Sequence, residues 1–247
     1  YKRGDLEGAL LLYNNVLNVD ETFYQAHYQI GVIQSKMGDK DLAIKSYEKA
    51  LDVNPQFYKG FFALGLAKSS LNDSNGALAA LQSAIDIYPG YDKAYGAMGD
   101  IYIRLKNFEK AKQVLNMSIT VNPNYARGYA NLGIIHSDEE NWDNAVSSLE
   151  MAVALNEKDS MSFFRLASAQ NLKGDCQSAK DAARKSADLK SRFGGACDEL
   201  GIAEWCGGRG NKAGALNAFE RARNDRDWRK MAEYEIDKVK NPQKYEK

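Results

Sequence analysis

Small and large apolar residues recur along this chain with a period far longer than one helical turn. A small residue preceded by a large apolar one returns every 34 residues, at Gly31, Gly65, Gly99, Gly133, Ala167 and Gly201. A second small residue keeps the same spacing, at Ala9, Ala43, Ala77, Ala111, Ala145 and Ala179. Large residues follow most of these alanines by four positions, which places both on one face of a helix. The pattern therefore predicts a repeated pair of amphipathic helices.

The small residues indicate that the two helices of each unit pack at short range. A Gly or Ala on the first helix and an Ala on the second let the backbones approach closely, and their large neighbours fill the remaining space. Pro55, Pro89 and Pro123 recur between the units, where no backbone N–H donor is required. Each hairpin buries one face against its neighbour, so we expect a stack stabilised by nearest-neighbour contacts.

The repeat resembles the tetratricopeptide repeat, whose signature combines an aromatic, Leu-Gly, a Tyr, an Ala, a second aromatic and a Pro. One unit of this chain fills these positions with His27, Ile30, Gly31, Ala43, Tyr47, Ala50 and Pro55. The resemblance covers essentially the whole chain. It implies an all-α fold, namely a right-handed superhelical solenoid of antiparallel helical hairpins with about six and a half repeats and a C-terminal capping helix.

The repeat register divides residues 1–247, which we predict to form a single domain, into consecutive segments. A half-repeat covers residues 1–23, and because its first helix is missing we expect the native protein to extend upstream. Repeats then start near Tyr24, Tyr58, Asp92, Ala126, Ser160 and Gly194, and the capping helix covers about residues 225–240. The last repeat fits only with a two-residue insertion after Trp205, which places Ala215, Phe219 and Ala222 at packing positions.

Charge and hydropathy change this picture mainly by excluding classes of partner. Lys and Arg number 33 and Asp and Glu number 33, so no overall charge favours a nucleic acid or an anionic membrane surface. No apolar run approaches the roughly 20 residues of a membrane-spanning helix. The sequence therefore predicts neither nucleic-acid binding nor direct membrane insertion. The Asn- and Tyr-rich repeats and clustered cysteines favour a bacterial protein of unknown compartment, with the periplasm slightly preferred over the cytoplasm.

No residue pattern in the chain predicts catalysis, a cofactor or a metal site. His27 and His136 lack a second ligand-type residue at metal spacing and stand at positions that the repeat fills with aromatic residues. The segment 206–212 resembles a nucleotide-binding loop only superficially, because it follows a helix and lacks the terminal Gly-Lys-Ser/Thr. We interpret it as an enlarged turn, and we expect that the chain is not an enzyme.

The three cysteines, Cys176, Cys197 and Cys206, all lie in the last third of the chain. Cys197 and Cys206 are about 13 Å apart along one predicted helix, which is too far for a disulfide. Cys176 begins one predicted helix and Cys206 ends the next. Adjacent helices of this fold run antiparallel, so these two ends should be neighbours, and an oxidising compartment would produce a Cys176–Cys206 disulfide. Three buried free thiols are the alternative, and the sequence leaves both open.

In the family that the repeat resembles, the first helices of the hairpins line a concave face that holds a peptide or a helix of a partner. The resemblance implies partner binding at side chains off the packing stripe of these helices, namely Tyr28, Lys59, Phe62, Lys93, Arg127, Asn131, Phe164 and Arg165. A merely solvated inner surface is the alternative. Only Asn131 and Arg165 match the five positions with which the family clamps chaperone-tail carboxylates, which argues against that ligand.

The sequence therefore predicts a non-catalytic scaffold or adaptor that binds a protein partner in its concave groove. Two other hypotheses remain open at this point. One is a structural protein that self-associates through the truncated N-terminal repeat. The other is the recruiting arm of a larger enzyme whose catalytic domain is not in this chain.

Overall fold

The computed structural model describes residues 3–245, and residues 1, 2, 246 and 247 lie outside this range. All regular elements of the described residues are helices, and no strand occurs among them. The prediction of an all-α fold is therefore confirmed. The half-repeat assigned to residues 1–23 is described from Arg3 onward, so its first two residues lie outside the described residues.

Fourteen α-helices follow one another along residues 3–245. They are α1 (Arg3–Val19), α2 (Tyr24–Met37), α3 (Lys40–Val53), α4 (Tyr58–Ser70), α5 (Ser74–Ile87), α6 (Asp92–Arg104), α7 (Phe108–Val121), α8 (Ala126–Asp138), α9 (Trp142–Leu155), α10 (Ser160–Lys173), α11 (Cys176–Leu189), α12 (Gly194–Trp205), α13 (Lys212–Ala222) and α14 (Arg229–Lys240). Short 3-10 helices cover Cys206–Gly208 and Pro242–Lys244. No helix among the described residues has the length and apolar character to cross a membrane.

The chain forms two compact units, residues 1–123 and residues 124–247. Unit 1 contains α1 to α7 and unit 2 contains α8 to α14. Each even-numbered helix from α2 to α12 pairs with the helix that follows it. Inside each unit, the second helix of one hairpin also contacts the first helix of the next, as α3 contacts α4 and α9 contacts α10. Each unit is therefore a stack of helical hairpins, whereas the single continuous domain stays a prediction.

The glycines of the first helices allow the close packing inside each hairpin. A Cβ atom added at Gly65 would lie 2.8 Å from Leu81, and one added at Gly99 would lie 2.5 Å from Leu115. Both leucines are fully buried. Because a Cβ atom does not approach another side chain so closely, the large residue of the second helix requires a glycine opposite it.

The turns between the two helices of a hairpin also repeat. A residue one or two positions after the end of the first helix adopts a left-handed backbone conformation, and these residues are spaced by 34, namely Gly38, Asn72, Lys106, Glu140 and Gly174. An Asp or Asn then caps most second helices, and its side chain accepts a bond from the backbone N–H three residues later, at Asp73, Asn107, Asn141, Asp175 and Asn211. These caps satisfy N–H groups that have no partner inside the helix.

The last hairpin of unit 2 departs from strict periodicity, and the structure confirms the two-residue insertion. Ala215, Phe219 and Ala222 of α13 are all fully buried. The extra residues lie in the longer turn after α12, where Cys206 has a φ of 42°. Helix α14 then packs on α12 and α13, so that Val239 is fully buried against the end of the stack.

Candidate partner-binding surface

In unit 1, the first helices α2, α4 and α6 carry four residues that the sequence assigns to partner binding. Lys59 and Lys93 are exposed, and Lys59 places its ammonium 5.8 Å from the centre of the Tyr58 ring. Tyr28 and Phe62 are half-buried. The two cations are therefore available to a partner, while the two aromatic rings are only partly so.

The half-burial of Tyr28 and Phe62 comes from aromatic residues that precede the next first helix. Phe57 stands just before α4, and its ring centre lies 5.0 Å from that of Tyr28 in an edge-to-face arrangement. Tyr91 stands just before α6 and lies 5.1 Å from Phe62 in the same arrangement. Edge-to-face pairs add to the stability that burial alone provides. Both predicted binding aromatics thus also hold neighbouring hairpins together.

These preceding aromatics form a periodic feature that the sequence analysis did not use. The residue before each first helix is Phe23, Phe57, Tyr91, Tyr125, Asp159 and Phe193. Their spacing of 34 residues was visible in the sequence. Because Phe57 packs on Tyr28 and Tyr91 packs on Phe62, this spacing identifies the predicted binding aromatics that also have a packing partner inside the stack. The one exception, Asp159, instead accepts a hydrogen bond of 3.1 Å from the backbone N–H of Met161.

In unit 2, the four predicted residues differ in exposure. Arg127 is exposed, whereas Asn131 is only 6% exposed. Asn131 of α8 is therefore buried inside unit 2 and does not form part of an open surface. Phe164 and Arg165 on α10 are half-buried. The structure brings these last two together and leaves Arg127 and Asn131 outside their cavity.

That cavity lies between the first helices α8 and α10 and has a volume of about 190 Å³. Its walls are formed by Ile134, Ser137, Asp138, Trp142, Phe164, Arg165, Ser168, Ala169 and Leu172. Leu172 is 61% exposed, which gives the cavity an apolar rim open to solvent. Apolar walls with a few polar groups are typical of sites that bind a side chain of another molecule.

Arg165 is the cation of this cavity. Partial burial lowers the pKa of its guanidinium, and the carboxylate of Asp159 acts in the opposite direction. An arginine remains charged at any physiological pH, so the effect of burial is to leave a cation that is short of water. Such a group gains more than a fully solvated one from pairing with a carboxylate of a partner.

Phe164 belongs to an aromatic cluster at the other side of α10. Its ring centre lies 5.0 Å from Phe193 and 5.8 Å from Trp228. Lys190 places its ammonium 4.9 Å from the centre of the Phe193 ring. Phe164 therefore borders the cavity and also packs on the residues that directly precede α12 and α14.

The cysteines lie on the helices next to this surface. A disulfide joins Cys176, the first residue of α11, to Cys206 after α12, with Cα atoms 5.7 Å apart. Cys197 is a free thiol with 2% exposure, and burial raises its pKa. Among the described residues, no group of three or more His, Cys, Asp or Glu side chains is placed to hold a metal ion.

Helix α1 in unit 1 carries the large apolar side chains with the highest exposed fractions among the described residues. Leu11, Leu12 and Val19 are 63%, 67% and 90% exposed. Leu12 and Val16 also border a groove of about 430 Å³ between α1 and α2. Self-association through this region stays a prediction.

Four family models match the chain. Three described as tetratricopeptide repeat match residues 24–57, 70–133 and 129–160, and one described as TPR repeat matches residues 1–38. Together these segments cover more than half of the chain. No curated protein matches it.

Several solved structures share the fold. A tetratricopeptide repeat protein from Parabacteroides merdae is 18% identical with a TM-score of 0.66, over 96% of this chain and 93% of that chain. MamA is 26% identical with a TM-score of 0.58, over 64% of this chain and 92% of its own. A chain of the APC/C hetero-tetramer Cut9–Hcn1 is 15% identical with a TM-score of 0.74, over 96% of this chain and 46% of that one.

Proposed function

Because this chain belongs to the tetratricopeptide repeat family, whose fold supports protein–protein interaction scaffolds in general, we propose that it is a non-catalytic scaffold that binds a peptide or helix of a partner protein. The partner lies along the first helices of the hairpins. The observation that carries the proposal is the α8–α10 cavity, where a partly desolvated arginine borders apolar walls. A hetero-tetramer that contains a chain of similar fold is consistent with this class of function.

The cavity favours a partner segment with one carboxylate next to an apolar side chain. Arg165 supplies the planar donor fork that pairs with a carboxylate, and Leu172 and Ile134 supply apolar contact area. In unit 1, Lys59 and Lys93 are exposed cations on the corresponding first helices and provide a second acid-binding surface. Tyr28 and Phe62 beside them offer the exposed part of their rings, and Arg127 adds a cation in unit 2.

The test uses variants that change the cavity without removing Phe164, because that ring also packs on Phe193 and Trp228. Arg165→Glu reverses the charge, and Leu172→Arg places a charged chain on the apolar rim. We expect each to lower recovery of the partner from the source proteome by about tenfold or more, as loss of a central contact does. Recovery is measured by quantitative mass spectrometry after affinity capture.

Arg192→Glu provides the matched control, because it makes the same charge change at an exposed residue between α11 and α12. It should recover the partner as the unmodified protein does. Equal recovery by Arg165→Glu, Leu172→Arg and Arg192→Glu would show that the cavity is not the binding surface.

A further inference from the structure

The disulfide between Cys176 and Cys206 forms part of the wall of a cavity. Both cysteines are partly exposed, and the cavity has a volume of about 480 Å³. Its other walls are formed by Asn171, Gly174, Ile202, Gly207 and Arg209. The volume falls within the range of about 300–1,000 Å³ that is typical of sites for small molecules. A small molecule that enters this cavity therefore meets the disulfide directly.

The backbone after Cys206 leaves its side of the disulfide open. Cys206, Gly207 and Gly208 have φ values of 42°, 63° and 87°, and both glycines are exposed. A Cβ atom added at Gly207 would have no neighbour within 4 Å. Because glycine carries no side chain, neither residue shields Cys206 from a molecule in the cavity.

The two cysteines lie at helix ends of opposite polarity. Cys176 is the first residue of α11, whereas Cys206 follows Trp205, the last residue of α12. Unpaired N–H groups at a helix N-terminus stabilise a thiolate, and unpaired carbonyl groups at a C-terminus destabilise one. The carboxylate of Asp175 opposes this effect, but it accepts a hydrogen bond of 3.1 Å from the backbone N–H of Ser178. Cys176 is therefore the better leaving group when the disulfide is cleaved.

Arg209 is the one charged residue in the wall of the cavity, and it is exposed. Two lysines nearby in the sequence already have acidic partners. Lys173 pairs with Asp143 at 2.6 Å, and Lys180 pairs with Glu204 at 3.1 Å. Arg209 therefore gives the cavity a preference for a small molecule that carries a carboxylate.

We propose that this cavity is a site of reversible thiolation, in which a small thiol with a carboxylate group enters beside Arg209 and becomes bonded to Cys206. The incoming thiolate attacks the sulfur of Cys206, and the S–S bond to Cys176 breaks. Cys176 leaves as a thiolate with the electron pair of that bond. One disulfide is lost and one is formed, so the step needs no oxidant or reductant. In the reverse step, the Cys176 thiolate expels the small thiol and restores the original disulfide.

The contacts around the site do not depend on the disulfide alone. Glu204 of α12 pairs with Lys180 and Arg184 of α11, and its carbonyl accepts a hydrogen bond of 2.7 Å from the N–H of Asn211. Exchange at the cysteines therefore leaves the two helices in contact. The inference is independent of the proposed function, because neither cysteine borders the α8–α10 cavity.

The direct test treats the whole oxidised chain with N-acetylcysteine and, as a matched control, with its uncharged amide. Rates are compared at equal thiolate concentration, since the thiolate is the attacking species. Samples are quenched with acid at early times, and peptide mapping by mass spectrometry locates the adduct. We expect the adduct on Cys206 in preference to Cys176 by at least about threefold. No adduct, equal amounts on the two cysteines or an excess on Cys176 would overturn the proposal.

Arg209→Gln removes the positive charge of the cavity. It should slow the reaction of N-acetylcysteine by about threefold and leave the rate of the amide unchanged. Arg192→Gln makes the same change at an exposed residue before α12, at the end of that helix remote from Cys206, and it should react as the unmodified protein does. An unchanged rate of N-acetylcysteine with Arg209→Gln would contradict the preference for an acidic thiol.

Single variants test the difference between the two cysteines separately. Cys206→Ser keeps the thiol of Cys176, and Cys176→Ser keeps that of Cys206. The rate of alkylation by iodoacetamide is measured as a function of pH, and peptide mapping separates these sites from Cys197. Because only the thiolate reacts, we expect the rate at Cys176 to reach half its maximum at a lower pH than the rate at Cys206.

Circular dichroism verifies that both variants keep the helical fold. Equal midpoints, or a lower midpoint for Cys206, would show that Cys176 is not the better leaving group and would overturn the assigned direction of exchange. None of these measurements involves Arg165 or the cellular partner. The thiolation site and the scaffold function therefore stand or fail separately.

Discussion

Single turn residues show where the repeat places a side chain in an unfavourable backbone conformation. Gly38 and Gly174 adopt φ values of 100° and 89°, which glycine tolerates without a steric penalty. Lys106 and Glu140 occupy the same turn position with φ values of 55° although both carry a Cβ atom. A left-handed conformation costs an L-residue roughly 1 kcal/mol. The free energy of unfolding is therefore lower than it would be with glycine at these two turn positions.

Lys106→Gly should raise the free energy of unfolding by about 0.5–1 kcal/mol, because glycine removes the steric cost at this turn. Urea unfolding followed by circular dichroism measures the change. Gln113→Gly makes the matched control at an exposed position inside α7 and should lower stability by about 1 kcal/mol. A loss of stability in both variants would show that the turn imposes no cost on Lys106.

Asp198 makes stability depend on pH in the direction opposite to most carboxylates. Its pKa in the folded chain is raised to about 7 from an ordinary value of 3.8. Between these values the folded state binds more protons than the unfolded state, so stability falls as pH rises from about 4 to 7. We expect Asp198→Asn to raise the free energy of unfolding at pH 8 by about 1–3 kcal/mol and to have a much smaller effect at pH 4.

Denaturant unfolding of the Asp198→Asn protein at both pH values measures this effect, and Asp188→Asn serves as the exposed control. The control should follow the unmodified protein at each pH. The same gain at pH 4 and pH 8 would mean that charge burial at position 198 is not the cause.

At the scale of helices, α11 and α12 belong to different hairpins and are nevertheless joined by a disulfide and two ion pairs. Cys176 and Cys206 connect one end of each helix, and Glu204 pairs with Lys180 and Arg184 one to two turns further along α11. The disulfide closes a sequence separation of 30 residues. In the chain-entropy model, a loop of this length contributes about 3–4 kcal/mol by restricting the unfolded chain.

A thiol titration tests the redox state of this element. Denatured protein without reductant should show one reactive thiol, that of Cys197, and three after reduction. Three thiols before reduction would mean that the cysteines are free in the protein as it is isolated. Cys176→Ser combined with Cys206→Ser should lower the free energy of unfolding by about 3–4 kcal/mol if the disulfide is present.

At the scale of the molecule, the periodic part of the fold was accessible from sequence because each repeat obeys the same steric rule. Leu115 requires a glycine opposite it, at Gly99, and the same pairing recurs with Leu81 and Gly65. The insertion in the last hairpin was also predictable, since only one register buries Phe219. These features depend on residues that are close in the sequence or exactly one repeat apart.

The candidate sites were predictable only in part, because they depend on non-periodic contacts. Phe164 and Arg165 were recognised from their helix positions, but the burial of Asn131 and the packing of Phe164 on Trp228 involve neighbours outside the repeat pattern. The burial of Asp198, which is 3% exposed, was missed for a related reason. A carboxylate in a helix is normally solvated, and the helices packed around α12 that bury this one include α14, which lies outside the repeat pattern.

The disulfide described above also limits how far the chain can be extended under tension. The residues between Cys176 and Cys206 form a closed loop, so a pull on the two ends passes through the S–S bond and bypasses them. Roughly 100 Å of contour length is thereby withheld, at about 3.3–3.6 Å per residue. Under a load that separates other hairpins one after another, α11 and α12 remain tethered, and they can re-form their contact as soon as the load is released.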